Sequence, residues 1–310
     1  MKIEIAQCSG FCFGVKRAIS MAQGALSAAG ARLPDGQGSA SGGENNKGRA
    51  VYSLGHIIHN SQVVEELSKQ GLESIKGLGN IKEGVVVISS HGASPEVFEE
   101  IKDKGLDVID ATCPYVMSAQ KVVKSLSEEG YTVIILGDNQ HPEVKSLVGF
   151  ARQRAIVIKD DTELRKAQIP SKKIGLVSQT TQSAENYFKV ISEILKKEFL
   201  EVRIFNTICN DTKKRQDSAA RLARDVEAMI IVGGKMSANT RRLFEICSHI
   251  CKDTYHIETA QDLAPEWFED KECVGIASGA STPDWIIDSV KNKILNTSPV
   301  KHVAEGDIER

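Results

Sequence analysis

One junction occurs three times in this 310-residue chain, and it constrains the fold more than any other feature. An alternating run, Lys2-Ile3-Glu4-Ile5-Ala6, reads as a strand and delivers Cys12 to the start of a helical pattern. Val108-Ile109-Asp110-Ala111-Thr112 does the same for Cys113, and the run from Val202 to Ile208 does so for Cys209. At a helix start, free amides and the positive end of the dipole favour a thiolate over a thiol. Three such sulfurs, one per repeat, point to a shared centre.

Two further loop types recur in the same order. One is an apolar run ending in glycine: Tyr52 to Gly55 followed by His56 and His59, Val133 to Gly137 followed by His141-Pro142-Glu143, and Ile230 to Gly233 followed by Ser237-Ala238-Asn239. The other ends in small or hydroxylated residues before a helix: Ser89-Ser90-His91-Gly92, Ser178-Gln179-Thr180-Thr181 and Ser278-Gly279-Ala280-Ser281. Cys113 and Gly137 are 24 positions apart, as are Cys209 and Gly233, whereas Cys12 and Gly55 are 43 apart. The excess lies in Gly30 to Arg49, whose Gly, Ser and Asn content predicts a mobile surface insertion, because it cannot bury enough apolar surface to offset its ordering entropy.

Helical patterns lie between these runs, at Gln62 to Leu67, at Glu185 to Lys197 with Phe188, Ile191 and Leu195 as the apolar stripe, and at Trp285 to Leu295. Strands alternating with helices of this length predict an α/β fold class, with right-handed crossovers and parallel sheets covered on both faces. Near-continuous apolar runs such as 85–88 and 133–136 suit buried parallel strands. The expectation is three similar α/β units: 14–112 carrying the 30–49 insertion, 113–206, and 1–13 joined to 207–295, with a tail at 296–310. Ligands of open parallel sheets gather beyond the carboxyl ends of the strands. All nine loops leave such ends, so three units meeting there would enclose one site.

Charge is balanced, 39 basic against 41 acidic side chains, so nothing global points to nucleic acid or an anionic membrane as partner. The first residues lack the apolar segment of a signal peptide, and no window approaches the roughly 20 apolar residues of a spanning helix. A soluble cytoplasmic protein is expected. Seven cysteines, an odd count without an export signal, argue against a disulfide framework and for reduced thiols.

Cys12, Cys113 and Cys209 fit joint metal ligation, and three soft ligands suit zinc or an iron–sulfur cluster. Zinc usually closes its shell with Cys or His at short local spacings, which are missing here. A four-iron cluster on three cysteines would leave one iron free for substrate. Cys8 lacks counterparts in the other repeats and reads as structural; Cys247, Cys251 and Cys273 read as core. His59, His91 and His141, with Ser237, Asn239 and Ser281, make a neutral-to-cationic donor set suited to phosphate or diphosphate. Glu143 either handles protons, with Thr180 as a relay, or is an exposed acid at a helix N-terminus. Lys213, Lys214 and Arg215 read as a solvated helix face, or as a docking surface for an acidic electron donor.

The motifs Gly10-Phe11-Cys12-Phe13-Gly14-Val15-Lys16-Arg17-Ala18, His59-Asn60, Ser90-His91-Gly92, Asp110-Ala111-Thr112-Cys113-Pro114, His141-Pro142-Glu143-Val144, Gln179-Thr180-Thr181, Arg215-Gln216 after Cys209, and Ser278-Gly279-Ala280-Ser281 together resemble the 4-hydroxy-3-methylbut-2-enyl diphosphate reductase family. That resemblance covers the chain from about residue 1 to about residue 295. It implies a pseudo-threefold trefoil around a central [4Fe-4S] cluster held by Cys12, Cys113 and Cys209. It implies two-electron reductive dehydroxylation of an allylic alcohol diphosphate to isopentenyl and dimethylallyl diphosphates, fed by an external donor of the ferredoxin or flavodoxin type. His59, His91, Ser237, Asn239 and Ser281 would hold the diphosphate, Glu143 would deliver protons, and Thr180 and His141 would arrange that path. Phe13, Ala238, Asn210 and Lys213 depart from the family's frequent residues. A cluster-containing hydro-lyase and a non-enzymatic iron–sulfur sensor are the competing readings.

Overall fold

The computed structural model describes residues 1–30 and 49–297, so most of the 30–49 segment and the tail beyond 297 lie outside the described residues. The chain runs β1 (Lys2–Ile5), α1 (Phe13–Ala28), β2 (Val51–Leu54), α2 (Ser61–Lys69), β3 (Leu72–Ile75), β4 (Val85–Ile88), α3 (Pro95–Asp103) and β5 (Asp107–Asp110). It continues through α4 (Pro114–Glu128), β6 (Thr132–Leu136), α5 (Pro142–Phe150), β7 (Ala155–Ile158), α6 (Asp161–Lys166), β8 (Lys173–Ser178), α7 (Ala184–Ile194) and β9 (Glu201–Ile204). It ends with α8 (Asn210–Asp225), β10 (Ala228–Val232), α9 (Ala238–Ser248), β11 (Thr254–Ile257), β12 (Cys273–Ser278) and α10 (Asp284–Thr297).

The strands form three parallel four-stranded sheets, ordered β1-β12-β10-β11, β3-β2-β4-β5 and β7-β6-β8-β9. This is the α/β architecture that the repeat predicts. The central strands β6 and β10 are buried along their whole length, as apolar runs covered on two faces must be. Each sheet carries an apolar cluster on either side: Val133, Ile135 and Val144 lie on one side of the third sheet, and Ile134, Leu136 and Val190 on the other.

Three strands escaped the sequence reading: β3, β7 and β11. Each is a four-residue edge strand added outside the glycine-ending strand of its sheet. None carries a candidate site residue, so the pattern of loops used to find the site is blind to them. One helical face also differs from expectation. In α7 the buried side chains are Tyr187, Val190 and Ile194, while Phe188 is 64 % and Leu195 69 % exposed. Two apolar stripes lie one residue apart on this helix, about 100° around it, and only one can face the sheet. Cys273 opens β12 and is half-buried rather than core; Cys247 and Cys251 are buried in the cluster under α8 and α9.

The connections explain why the cysteines matter to the whole molecule. β1 belongs to the sheet of β10 and β12, yet the helix after Cys12 packs Val15, Ala18 and Ala22 against Val51 and Val87 of the next sheet. Cys113 likewise separates β5 from a helix that packs on β6 and β8, and Cys209 separates β9 from a helix that packs on the sheet of β12. Every cysteine marks the point where the chain leaves one sheet for the next, and three such steps return it to the first.

Candidate functional site

Each cysteine is the N-cap of its helix, with extended or near-extended backbone. The amide of Cys12 donates to the Ala280 carbonyl at 3.0 Å, that of Cys113 to Ser90 at 3.0 Å and that of Cys209 to Thr180 at 2.9 Å. The three acceptors occupy the same place, two residues beyond the ends of β12, β4 and β8. Identical backbone contacts thus fix all three sulfurs at strand ends facing one cavity.

That cavity is lined by Cys12, Cys113 and Cys209 together with Glu143, Thr180, His141, His59, His91, Ser237, Asn239 and Ser281, so every candidate named from the sequence shares one space. Its wall also includes Tyr115 and Asp211, which the sequence reading passed over; they stand in the first turns of α4 and α8, where the Cys12 helix has Gly14. A Cβ on Gly14 would lie 2.6 Å from the Cys113 sulfur and 4.0 Å from the Cys12 sulfur. Glycine is needed there because two cysteine loops from different sheets close on the same spot.

Among the described residues, one trio of potential metal ligands, His59, His91 and His141, has its ligand atoms within 4.8 Å of one another. All seven cysteines are free. Burial pushes the three thiols up, Cys113 to about 11, and outweighs the helix-start amides of Val15, of Tyr115 and Val116, and of Asp211 and Thr212, which act in the opposite sense. The helix-start amides do favour the thiolate, as the sequence predicts, but in this pocket desolvation outweighs them, and a cationic centre beside the sulfurs would favour the ionised form. Three free thiols lining one cavity, each from a different sheet junction, fit the three protein attachment points of a multi-iron cluster.

In the same cavity the three imidazoles pack with ring centroids 4.3, 5.2 and 5.3 Å apart. Burial first, then neighbouring cations, push all three down: His59 to about 4 with His56 and Arg241 adding to burial, His141 to about 3 with His59 and Arg241, and His91 well below its ordinary value with His59 and His141. With values this low the three imidazoles are neutral near pH 7 rather than partly cationic. His141 caps α5, its Nδ1 accepting from the Glu143 amide at 3.2 Å, which leaves the proton on Nε2. His59 Nε2 and both amide atoms of Asn239 are buried without any hydrogen-bond partner. Each orphan costs about 1–3 kcal/mol, so their gathering in one cavity calls for a polar ligand.

The Ser237 hydroxyl oxygen accepts from the Thr240 amide, which leaves its proton free to donate. Ser281 Oγ donates to the His59 carbonyl at 3.1 Å. The amides of Gly279 and Thr282 are already committed to Val232 and Gly279 carbonyls, so the loop before α10 offers fewer free N–H groups than its sequence suggests. Glu143 is 2 % exposed and not an exposed helix-start acid. Its carboxylate accepts from the Thr180 amide at 2.6 Å and the Thr180 hydroxyl at 2.8 Å, yet burial prevails and pushes its pKa up to about 7. A carboxyl poised at that value can hold and release a proton near neutrality. Arg215 is 3 % exposed, which removes it from the solvated face assigned to it beside Lys213 and Lys214.

Comparison with known proteins bears on the family and the fold. The sequence matches the family described as LytB protein over residues 3–295. It is 45% identical over 302 residues to a 4-hydroxy-3-methylbut-2-enyl diphosphate reductase of Geobacter metallireducens, covering 97% of this chain and 99% of that one. The reductase of Aquifex aeolicus is 45% identical over 310 residues, covering 99% and 98%. A solved structure of (E)-4-hydroxy-3-methyl-but-2-enyl diphosphate reductase, described as the terminal enzyme of the non-mevalonate pathway, is 43% identical with a TM-score of 0.66, covering 96% of this chain and all of that chain. The Plasmodium falciparum reductase structure is 26% identical with a TM-score of 0.84, covering 96% and 89%.

Proposed function

The chain belongs to the LytB protein family, and on that premise we propose how its residues carry out reduction of 4-hydroxy-3-methylbut-2-enyl diphosphate. The observation that carries the reading is the convergence of three free thiols and a polar, orphan-bearing wall on one cavity. Cys12, Cys113 and Cys209 would hold a [4Fe-4S] cluster, which when bound would supply electron transfer and Lewis acidity.

The chain's own residues do the rest. Asn239 and the free Ser237 proton bind diphosphate oxygens, joined by the Nε2 proton of His141 and by His59 and His91, while Ser281 turns its hydroxyl from the His59 carbonyl to the anion. An arriving polyanion favours protonation of the neutral histidines, so binding draws protons into the wall. Glu143 delivers protons, of which each turnover needs two, one to release the hydroxyl as water and one that ends on the allylic carbon. Thr180 orients that carboxyl through two hydrogen bonds, and the Cys209 amide on its carbonyl ties this pair to the sulfur loop. The apolar contacts of Ile58, Val15 and Val116 exclude water from the carbon chain. The products are isopentenyl and dimethylallyl diphosphates, and the electrons come from an external ferredoxin- or flavodoxin-type donor in the cytoplasm. Among the described residues no helix is long and apolar enough to cross a membrane.

The test is anaerobic turnover of the allylic diphosphate by iron- and sulfide-loaded protein with a strong chemical reductant. Consumption of two electrons per product supports the reading. Product formed without electron consumption makes the protein a hydro-lyase, and substrate left unturned makes it a sensor or scaffold.

A further inference from the structure

The three cysteine loops share their backbone contacts but differ in what holds them to their neighbours. Arg17, on the helix after Cys12, donates from Nη1 to the Thr112 carbonyl at 2.9 Å and from Nη2 to the Asp110 carbonyl at 3.3 Å, both in the loop that leads into Cys113. Arg215, on the helix after Cys209, donates from Nη1 to the Cys8 carbonyl at 3.1 Å, in the loop that leads into Cys12. Its Nε pairs with Asp211 at 2.6 Å, and the guanidinium is 3 % exposed. Burying a guanidinium is costly unless it is paired and hydrogen-bonded, so a buried arginine whose remaining bond is to a backbone carbonyl marks a loop that is actively held. The loop into Cys209 is tied differently: Thr207 Oγ1 accepts from the Ser178 amide at 2.8 Å and donates to the Ser178 carbonyl at 2.6 Å, inside its own sheet.

We propose that Arg17 and Arg215 are positioning residues that strap the Cys113 and Cys12 loops to the preceding cysteine helix, presetting the three sulfurs before any cluster arrives. The straps run in one direction around the molecule, from the Cys209 helix to the Cys12 loop and from the Cys12 helix to the Cys113 loop. The third seam, between the Cys113 helix and the Cys209 loop, has no equivalent among the described residues. The proposal rests on the cluster reading for its purpose but not for its geometry.

The experiment is amide hydrogen exchange on the full-length apoprotein, comparing wild type with Arg17→Met and Arg215→Met, each with a lysine variant as partial rescue. Exchange at the Cys12 amide is expected to quicken roughly tenfold or more in Arg215→Met, and at the Cys113 amide in Arg17→Met, with the Cys209 amide unchanged in both. A parallel anaerobic loading with iron and sulfide is expected to show iron uptake slowed by a similar factor, and a shifted cluster signal. Uniform quickening at all three amides, or no change at any, overturns the strap. Wild-type protein that takes up no iron refutes the cluster reading and leaves the exchange result to decide the strap by itself.

Discussion

The floor and the wall of the cavity were built from the same threefold repeat and have kept it to different degrees. At the floor the symmetry is intact: one cysteine per sheet, each an N-cap, each with its amide on the equivalent carbonyl. On the wall the equivalent places hold different side chains. Four positions beyond Gly55, Gly137 and Gly233 stand His59, His141 and Ser237, and six beyond stand Ser61, Glu143 and Asn239. Three residues beyond β4, β8 and β12 stand His91, Thr181 and Ser281. A symmetric floor suits an inorganic group with equivalent attachment points, and a diverged wall suits a substrate with a diphosphate at one end and a hydroxyl at the other. The sole acid buried in this wall, Glu143, belongs to the third sheet's loops, while Ser237, Asn239 and Ser281 belong to the first sheet's.

The sharpest way to break this contrast is to change the floor one sulfur at a time. Replacing Cys12, Cys113 or Cys209 by serine is expected to lower activity by more than about a hundredfold in each case, beyond what residues supporting a ligand usually cost, with iron content falling to a similar degree in all three. Unequal losses of iron would show that the floor is not symmetric. Next in size is Glu143→Gln, expected to reduce kcat by about 10²–10⁴ with little change in KM, whereas Asn239→Ala is expected to raise KM more than it lowers kcat. If both variants moved the same parameter, the division of the wall into an acid side and an anion side would fail.

The pH behaviour of Glu143 is a smaller effect with a definite sign. Its carboxyl is raised from 4.5 to about 7 by burial, so the proton it delivers is present below that value, and kcat is expected to fall as pH rises through about 7. The same shift links to stability: the neutral carboxyl is comfortable below about 4.5, and the folded state loses stability as pH climbs through about 7. Glu143→Gln is therefore expected to exceed wild type in unfolding free energy at pH 8 by about 1–3 kcal/mol, and to lose that advantage at pH 4.5. Smallest is the proton uptake of the histidine wall. Calorimetry of inorganic diphosphate binding at pH 6 in buffers of different ionisation enthalpy is expected to show net uptake of up to about two protons, and less in a His59→Ala, His141→Ala double variant.

How far the sequence could be read follows the same divide. Cys12, Cys113 and Cys209 were legible because repetition isolates them from the other four cysteines, and the glycine-ending strands were legible because buried parallel strands are continuous apolar runs. The edge strands β3, β7 and β11 were not, since a four-residue strand with one neighbour leaves little periodicity. The stripe on α7 was misplaced because two adjacent stripes compete and only the sheet decides between them. Protonation was the least legible: His59 and Cys113 owe their shifts to burial, which no local pattern encodes. Arg215 looked like part of a solvated basic run, and only its bond to the distant Cys8 carbonyl reveals a different task.

The joint hold of three sulfurs on one cluster with a vacant iron is tested most directly by Mössbauer spectroscopy of anaerobically loaded protein, with and without the allylic diphosphate. Four irons per chain, with a single iron site distinct from the others and altered on adding substrate, is the result that this arrangement requires. A spectrum of one isolated iron, or of a cluster indifferent to substrate, would contradict it.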